Sequence, residues 1–287
     1  MSFKQVLTIA KQIICALFAL ILPFIGIGKL DLGAKAPESS EVTRVMSFNV
    51  RNGEYDRGKI VPQVIADYMP DSVGLQECEG TWYLTLDAYI PKYGIVGVGR
   101  LSGVKLIGES TAIMYRKDKY KLIDSGTFWL SETPDKVSIG WDAAHHRTCT
   151  WVILENKETK ERYAHINTHL DHKGPEARQK GLELVIEKAL SFDMPTVVTG
   201  DFNFEKGCEL YKALVSDGLS DTQDMAISTM NGKTYHGYKG GERGNPIDFI
   251  CVNDEITDVK TYRIIRDSVD GQYVSDHYPI YADIVLP

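Results

Sequence analysis

Cysteine is sparse and scattered in this chain. Cys15, Cys78, Cys149, Cys208 and Cys251 never form a C-x-x-C pair, which argues against a zinc site. Outside the N-terminal apolar segment that holds Cys15, they read as free thiols filling small spaces in a core. Basic charge is also short: 32 Lys and Arg stand against 39 Asp and Glu, a net charge of −7. Without the first 36 residues, which hold four lysines and one aspartate, the balance becomes −10. No basic tail or long basic run is present, and proteins that live by non-specific phosphate contacts are usually basic. Either bulk nucleic acid is not the partner, or a bound cation supplies positive charge locally. The chain also lacks short-period repeats and low-complexity blocks.

What it does have is apolar substance. At 287 residues and 43% hydrophobic content it can bury a large core. The run "IICALFALILPFIGIG" (13–28) carries no charge, with Lys4 and Lys11 before it and Lys29 after. Extended back to Val6 it spans a bilayer at the expense of one snorkelling lysine. Alternatively it is a signal peptide cut after Ala36 in the small-x-small pattern Ala34-Lys35-Ala36, although Pro37 disfavours that cut. We therefore expect residues 1–36 to be a membrane anchor or signal peptide, with a short linker to 41 ("KAPESSE", 35–41) and a catalytic domain over 42–287. Either alternative places that domain outside the cytoplasm, anchored or secreted. The expected assembly is a monomer.

Periodicity supplies the elements. "EVTRVMSFNV" (41–50) alternates as a strand, and "IVPQVIADYM" (60–69) stripes as a helix. "DSVGLQE" (71–77) reads as a strand and "TWYLTLDAYI" (81–90) as a helix. "STAIMYR" (110–116) and "YKLIDSGTFWL" (120–130) read as strands paired with each other. "TCTWVILEN" (148–156) and "RYAHINTH" (162–169) form a hairpin around "KETK". "GPEARQKGLELVIEKAL" (174–190) is the longest helix, with Pro175 in its first turn. "TVVTGDF" (196–202), "PIDFICV" (246–252), "DVKTYRII" (258–265) and "YPIYADIVL" (278–286) complete the strands, with a short helix near 208–215. Strands outnumber helices and many adjoin in sequence, so mixed sheets in an α/β (α+β) sandwich are expected.

Short polar residues mark the ends of these strands: Asn49, Glu77, His169 and Asp201 with Asn203 close strands, Asp248 sits in "PIDFI", and Asp276 with His277 start the last strand. In "GDFN", alternation sets Asp201 and Asn203 on one side and Phe202 on the other. One such residue caps a turn. Six clusters together form a polar cleft that is unfavourable unless a cation or an Asp–His network fills it. Asn, Glu and Asp are hard ligands, suited to Mg²⁺ or Mn²⁺.

The ordered motifs "SFNVR" (47–51), "LQE" (75–77), "GESTAIMYR" (108–116), "NTHLDH" (167–172), "GDFN" (200–203), "IDFI" (247–250) and "SDHYP" (275–279) span nearly the whole domain. The chain thereby resembles the endonuclease/exonuclease/phosphatase superfamily, which includes deoxyribonucleases, abasic-site endonucleases, inositol polyphosphate 5-phosphatases, neutral sphingomyelinases and deadenylases. The resemblance implies a four-layer sandwich of two mixed β-sheets flanked by helices, and phosphoester hydrolysis with Mg²⁺ or Mn²⁺. It implies Glu77 as principal metal ligand, with Asn49 and Asp276 beside it. Asp201 would orient or deprotonate the attacking water, and Asn203 would bind a phosphoryl oxygen. His277 would bind phosphate, oriented by Asp248, and His169 would do so or act as an acid, oriented by Glu109. Arg51 and Arg147 are further phosphate contacts, and His236, in the Gly-rich "TYHGYKGGERGNPID" (234–248), is another candidate. Loops 97–108, 131–147 and 230–245 are expected to set specificity. The substrate stays open between nucleic acid or nucleotides on one side and a lipid or small phosphorylated metabolite on the other.

Overall fold

The computed structural model describes residues 30, 32–53, 59–216, 218–269 and 271–287. The anchor or signal segment 13–28 lies outside the described residues, and among those described no helix is long and apolar enough to cross a membrane. In chain order the elements begin β1 (Thr43–Asn49), α1 (Ile60–Tyr68), β2 (Ser72–Cys78), α2 (Gly80–Tyr89), β3 (Tyr93–Val96), β4 (Ser110–Arg116) and β5 (Tyr120–Trp129). They continue with β6 (Thr148–Asn156), β7 (Arg162–His169), α3 (Pro175–Leu190), β8 (Thr196–Asp201), α4 (Glu209–Leu214), β9 (Leu219–Asp221) and α5 (Thr222–Met225). The last are β10 (Asp248–Asn253), β11 (Asp258–Ile264), β12 (Ser268–Val269), β13 (Gln272–Tyr273) and β14 (Ile280–Val285).

Two six-stranded sheets face one another, ordered β11-β14-β1-β2-β4-β3 and β5-β6-β7-β8-β10-β9. Each is antiparallel except for one parallel pair, β1 with β2 and β7 with β8. A parallel pair needs a crossover, and a helix supplies each one: α1 between β1 and β2, α3 between β7 and β8. α1 and α2 cover the outer face of the first sheet through Val61, Val64, Ile65, Trp82 and Leu86. α3 and α4 cover the second through Leu182, Val185, Tyr211 and Leu214. The result is the expected four-layer sandwich of mixed sheets.

One expected pairing does not form. β4 and β5, read as partners, lie in different sheets: β4 pairs with β2 and β3, and β5 is the outer neighbour of β6. The turn between them therefore carries the chain from one layer to the other. The short strands β3, β9, β12 and β13 and the single-turn α5 had no separate periodic signal to betray them. Residues around the expected linker also lie on the domain: Gly33 N–H donates to Ala66 O and Lys35 N–H to Asp67 O, and Leu30 and Leu32 pack against the core.

A polar seam joins the sheets. Tyr163 OH donates to Ser72 Oγ (3.0 Å), and Ser72 lies 2.8 Å from His165 Nδ1, whose Nε2 is 2.8 Å from Thr199 Oγ1. Thr199 and Gln76 then donate to Asn167 Oδ1, at 3.2 and 2.7 Å. Thr199 can donate there when it accepts from a protonated His165 Nε2, and complete burial, which pushes the His165 pKa down to about 3, keeps the ring neutral. Gly74 lets the sheets approach here, because a Cβ on it would lie 2.1 Å from Thr199 Oγ1 and 2.5 Å from Asn167 Oδ1. Gly74→Ala should therefore destabilise the protein by about 1–3 kcal/mol. Thermal unfolding should show a midpoint several degrees lower, and an unchanged midpoint would mean that the seam yields freely.

Candidate active site

The C-terminal ends of the two parallel pairs meet at one edge of the sandwich. Asn49 ends β1, Glu77 lies one residue from the end of β2, His169 ends β7 and Asp201 ends β8. Asn49 joins the layers: its Nδ2 donates to Glu77 Oε1 (3.2 Å) and to Asp201 Oδ2 (3.0 Å). Glu77 is aimed by an irregularity. The β2–β4 register shifts between Leu75 and Cys78, and Glu77 has φ +57°. A bulge of this kind re-aims a side chain that a regular strand would point elsewhere. Arg51 (φ +58°) and Asn203 (φ +53°) share the left-handed region. For Arg and Glu that backbone is costly, and such strain persists only where the surroundings enforce it.

The "GDFN" stretch reaches its geometry by a turn rather than by pleating. β8 ends at Asp201, and Asn203 N–H donates back to Asp201 Oδ1 at 3.1 Å. Asn203 Nδ2 donates to Leu170 O at 3.0 Å. Phe202 is fully buried against Phe204 and Phe249. Asp201 and Asn203 do line one cavity, but an Asx turn places Asn203 there.

Asp201 and Asp248 stand directly opposite one another on β8 and β10. Facing carboxylates repel. His277 lies between them, with Nδ1 2.9 Å from Asp248 Oδ2 and Nε2 3.7 Å from Asp201 Oδ2. Burial works against a charged imidazole, yet Asp248, Asp201 and Asp276 outweigh it and raise His277 to about 10. Burial, with help from Asp248, pushes the Asp201 carboxyl up, against the pull of His277 and the Asn49 amide. His169 Nε2 is 3.4 Å from Asp201 Oδ2. Burial, then Arg147 and Arg100, drive His169 well below its ordinary value, so it is neutral.

A cavity of about 650 Å³ opens over these groups. Glu77, His169, Asp201, Asn203, Asp276 and His277 form its floor, and Arg51, Arg147 and Glu109 are in its walls. Asn49 and Asp248 lie behind this lining, bonded to Asp201 and His277. Two sequence expectations need correction. Glu109 makes no hydrogen bond to His169; its carboxylate pairs with Arg100 Nη1 (2.8 Å) and accepts from Asn52 Nδ2. A guanidinium attracts a carboxylate more strongly than a neutral imidazole does. His236 does not line the cavity. It is buried, stacked 3.9 Å from the Tyr278 ring, and burial followed by the nearby His277 lowers it to about 4. Its neighbour Tyr235, 50% exposed, reaches the cavity instead, 5.0 Å from the His277 ring.

Sequence reasoning missed Asn52, Arg100, Asp171 and His172. Asp171 and His172 lay inside "NTHLDH", and Arg100 opens the glycine-bounded loop already marked for specificity. Asp171 braces the wall. Burial opposes its charge, but the N–H groups of Gly174 and Lys173, at 2.8 and 2.9 Å, hold it well below the usual carboxylate range.

A profile of the Endonuclease/Exonuclease/phosphatase family matches residues 46–277. The chain belongs to this family. Members are phosphoester hydrolases. Comparison with curated proteins gives no match. Among solved structures, the chain is similar to an endonuclease/exonuclease/phosphatase from Bacteroides vulgatus, with 35% identity, 86% of this chain and 99% of that one covered, and a TM-score of 0.79. It is similar to a mannosyl-6-phosphatase from Bacteroides thetaiotaomicron, with 33% identity, 85% and 100% coverage and a TM-score of 0.79. A further family protein from Bacteroides thetaiotaomicron shares 32% identity over 86% of this chain and 98% of that one, with a TM-score of 0.79.

The family is typically dependent on a divalent metal, and the donor set here fits one. Arg51 reaches Glu77 (3.7 Å) and Asp276 (3.6 Å) at once, so one cation can serve both carboxylates. The Asn49 amide oxygen accepts from Arg51 N–H (3.1 Å) in this structure, so it would join the carboxylates only after the side chain turns, and such an all-oxygen set suits Mg²⁺ or Mn²⁺. Asp201, Asp248 and His277 also bring ligand atoms within 4.8 Å of one another. There, however, the His277 Nδ1 is engaged by Asp248, which makes it a carboxylate–imidazole network.

The buried His277 charge can be checked directly. In chelator-treated protein, ¹⁵N NMR should find both of its ring nitrogens protonated at pH 8, because its pKa of about 10 lies above that pH. Asp248→Asn should lower its titration by about one pH unit or more. A neutral His277 at pH 8 in the unaltered chain would refute the arrangement.

Proposed function

We propose that this family member hydrolyses the phosphoester of a small phosphorylated molecule, of the size of a sugar phosphate, with a divalent cation. The observation that carries this reading is the cavity. At about 650 Å³ it falls in the range of small-molecule sites. Arg100, His145, His172 and Tyr235 also line it. The similarity to a mannosyl-6-phosphatase supports the same substrate class. A second reading, hydrolysis of a nucleotide or nucleic acid, draws support from the half-exposed Tyr235 ring, a surface on which a base can stack. An extracytoplasmic location is part of the proposal and rests on the sequence of residues 13–28 alone.

In this mechanism Asn49, Glu77 and Asp276 would hold the metal, which neutralises phosphoryl charge and polarises the ester when bound. Asp201, raised by burial, accepts a proton from the attacking water and orients it. The Asn203 amide and the His277 imidazolium donate to phosphoryl oxygens where charge develops. Asp248 keeps His277 charged and fixes its ring. His169, neutral and beside Asp201, donates a hydrogen bond without adding charge.

The test uses the full chain with Mg²⁺ against sugar phosphates, inositol phosphates, sphingomyelin, single-stranded DNA and RNA. Phosphate release from sugar phosphates is expected, and EDTA and Glu77→Ala should each abolish it. Asp201→Ala and His277→Ala should each lower turnover roughly 10²-fold. Thermal unfolding of each variant separates lost chemistry from lost fold. Hydrolysis that survives both EDTA and Glu77→Ala would overturn the metal-dependent mechanism.

A further inference from the structure

Arg147 is 5% exposed, yet it faces the cavity beside His169 and Asp201. Its side chain makes two long hydrogen bonds, Nε to Asp171 Oδ2 (3.4 Å) and Nη2 to His172 Nδ1 (3.2 Å). A guanidinium has five donors, so most of its capacity is not used by these partners. Asp171 reaches it only at that long distance, its oxygens also accepting from the backbone N–H groups of Lys173, Gly174 and His145. Arg100 stands in the same wall, paired with Glu109. Burial, then Arg100, work against the Arg147 charge, while Asp171, Asp201 and Glu109 support it, and a guanidinium keeps it. Burial and the two arginines also hold His145 and His172 below their ordinary values. Donation from Arg147 to His172 Nδ1 places the His172 proton on Nε2.

We propose that Arg147 and Arg100 form a charge-reading wall that selects a phosphomonoester over a phosphodiester. The inference deepens the hydrolytic reading above and rests on it. A diester has two free phosphoryl oxygens and one negative charge, which the groups assigned to the reaction centre already match. A terminal phosphate has a third free oxygen and carries about −1.5 to −2 at neutral pH. That added charge is what a buried, under-bonded guanidinium with a second one beside it is built to receive, and the planar fork matches two oxygens at once. In a diester the third oxygen carries a carbon substituent, which offers the guanidiniums no charge and must share their space. The arginines are specificity-determining residues in this scheme; the proton transfer stays with Asp201.

The experiment compares p-nitrophenyl phosphate with methyl p-nitrophenyl phosphate, which has the same leaving group and one charge fewer. Each variant of the full chain is referred to the unaltered chain on the same substrate, so intrinsic reactivity cancels. Arg147→Gln and Arg100→Gln should each cost kcat/KM on the monoester at least about tenfold more than on the diester, as expected for losing a charge-assisted hydrogen bond. Arg147→Lys, which keeps the charge and loses the fork, should fall between. Equal losses on both esters would overturn the assignment. Calorimetry supplies an arm independent of turnover: the unaltered chain should bind inorganic phosphate more tightly than dimethyl phosphate, and Arg147→Gln should remove the difference. If neither these esters nor the phosphoesters of the panel above are hydrolysed, the hydrolytic reading falls. Equal binding of the two anions overturns the charge assignment whatever the turnover.

Discussion

Two carboxylates that should repel are held face to face by one imidazolium. Asp201 and Asp248 are opposite neighbours on adjacent antiparallel strands, and His277 reaches both from the segment before β14. Burial by itself disfavours the charges of Asp201 and His277. Together the three groups keep His277 charged and leave Asp201 with a raised affinity for protons. The last strand of the first sheet is thereby tied to the middle of the second. Asn49 makes the reciprocal tie, from the first sheet to Asp201. Strain at Glu77 and Arg51 is sustained because these cross-layer bonds leave little freedom to relax.

The scaffold behind them has the same logic twice. Each sheet has one parallel pair bridged by a helix, and the C-terminal ends of both pairs meet at one edge. Between them runs a polar seam rather than a wholly apolar core. Its members satisfy one another from Tyr163 to Gln76, as a buried polar network must if it is to be tolerated. The seam ends beside Glu77 on one strand and, through Thr199, two residues from Asp201 on another. Sheet packing and site geometry are therefore one constraint. The acidic chain gathers His277, Arg51, Arg100 and Arg147 at one cavity, interleaved there with Glu77, Glu109, Asp201 and Asp276.

Legibility followed the range of the physical signal. Strands of period two and the long α3 stripe were readable because burial patterns act locally, and the mixed-sheet sandwich followed from them. The floor residues were readable because most lie at or just beyond strand ends, and those ends converge. Glu109 was misassigned because its motif says nothing of Arg100, which lies nine residues earlier and takes its carboxylate. His236 and Tyr235 are adjacent, and composition cannot tell which of two neighbours faces inward; the isolated bridge between Tyr235 and His277 decides it. The pairing expected for β4 with β5 failed because adjacency in sequence does not reveal a crossing between layers.

By itself the sequence determined the element types, the ordered motifs and the chemical character of the candidate site: carboxylates, amides and histidines near strand ends. These are local properties, written in residue type and period. Only the tertiary structure decided which charges face one another. It set His277 between Asp248 and Asp201, turned Asn203 into the cavity through a left-handed turn, gave Glu109 to Arg100, and left Arg147 buried with donors to spare. Electrostatic partnership depends on distance and burial through space, and residues 29 to 239 positions apart in the chain, such as Asp248 with His277 and Arg44 with Asp283, acquire it only when the sheets close.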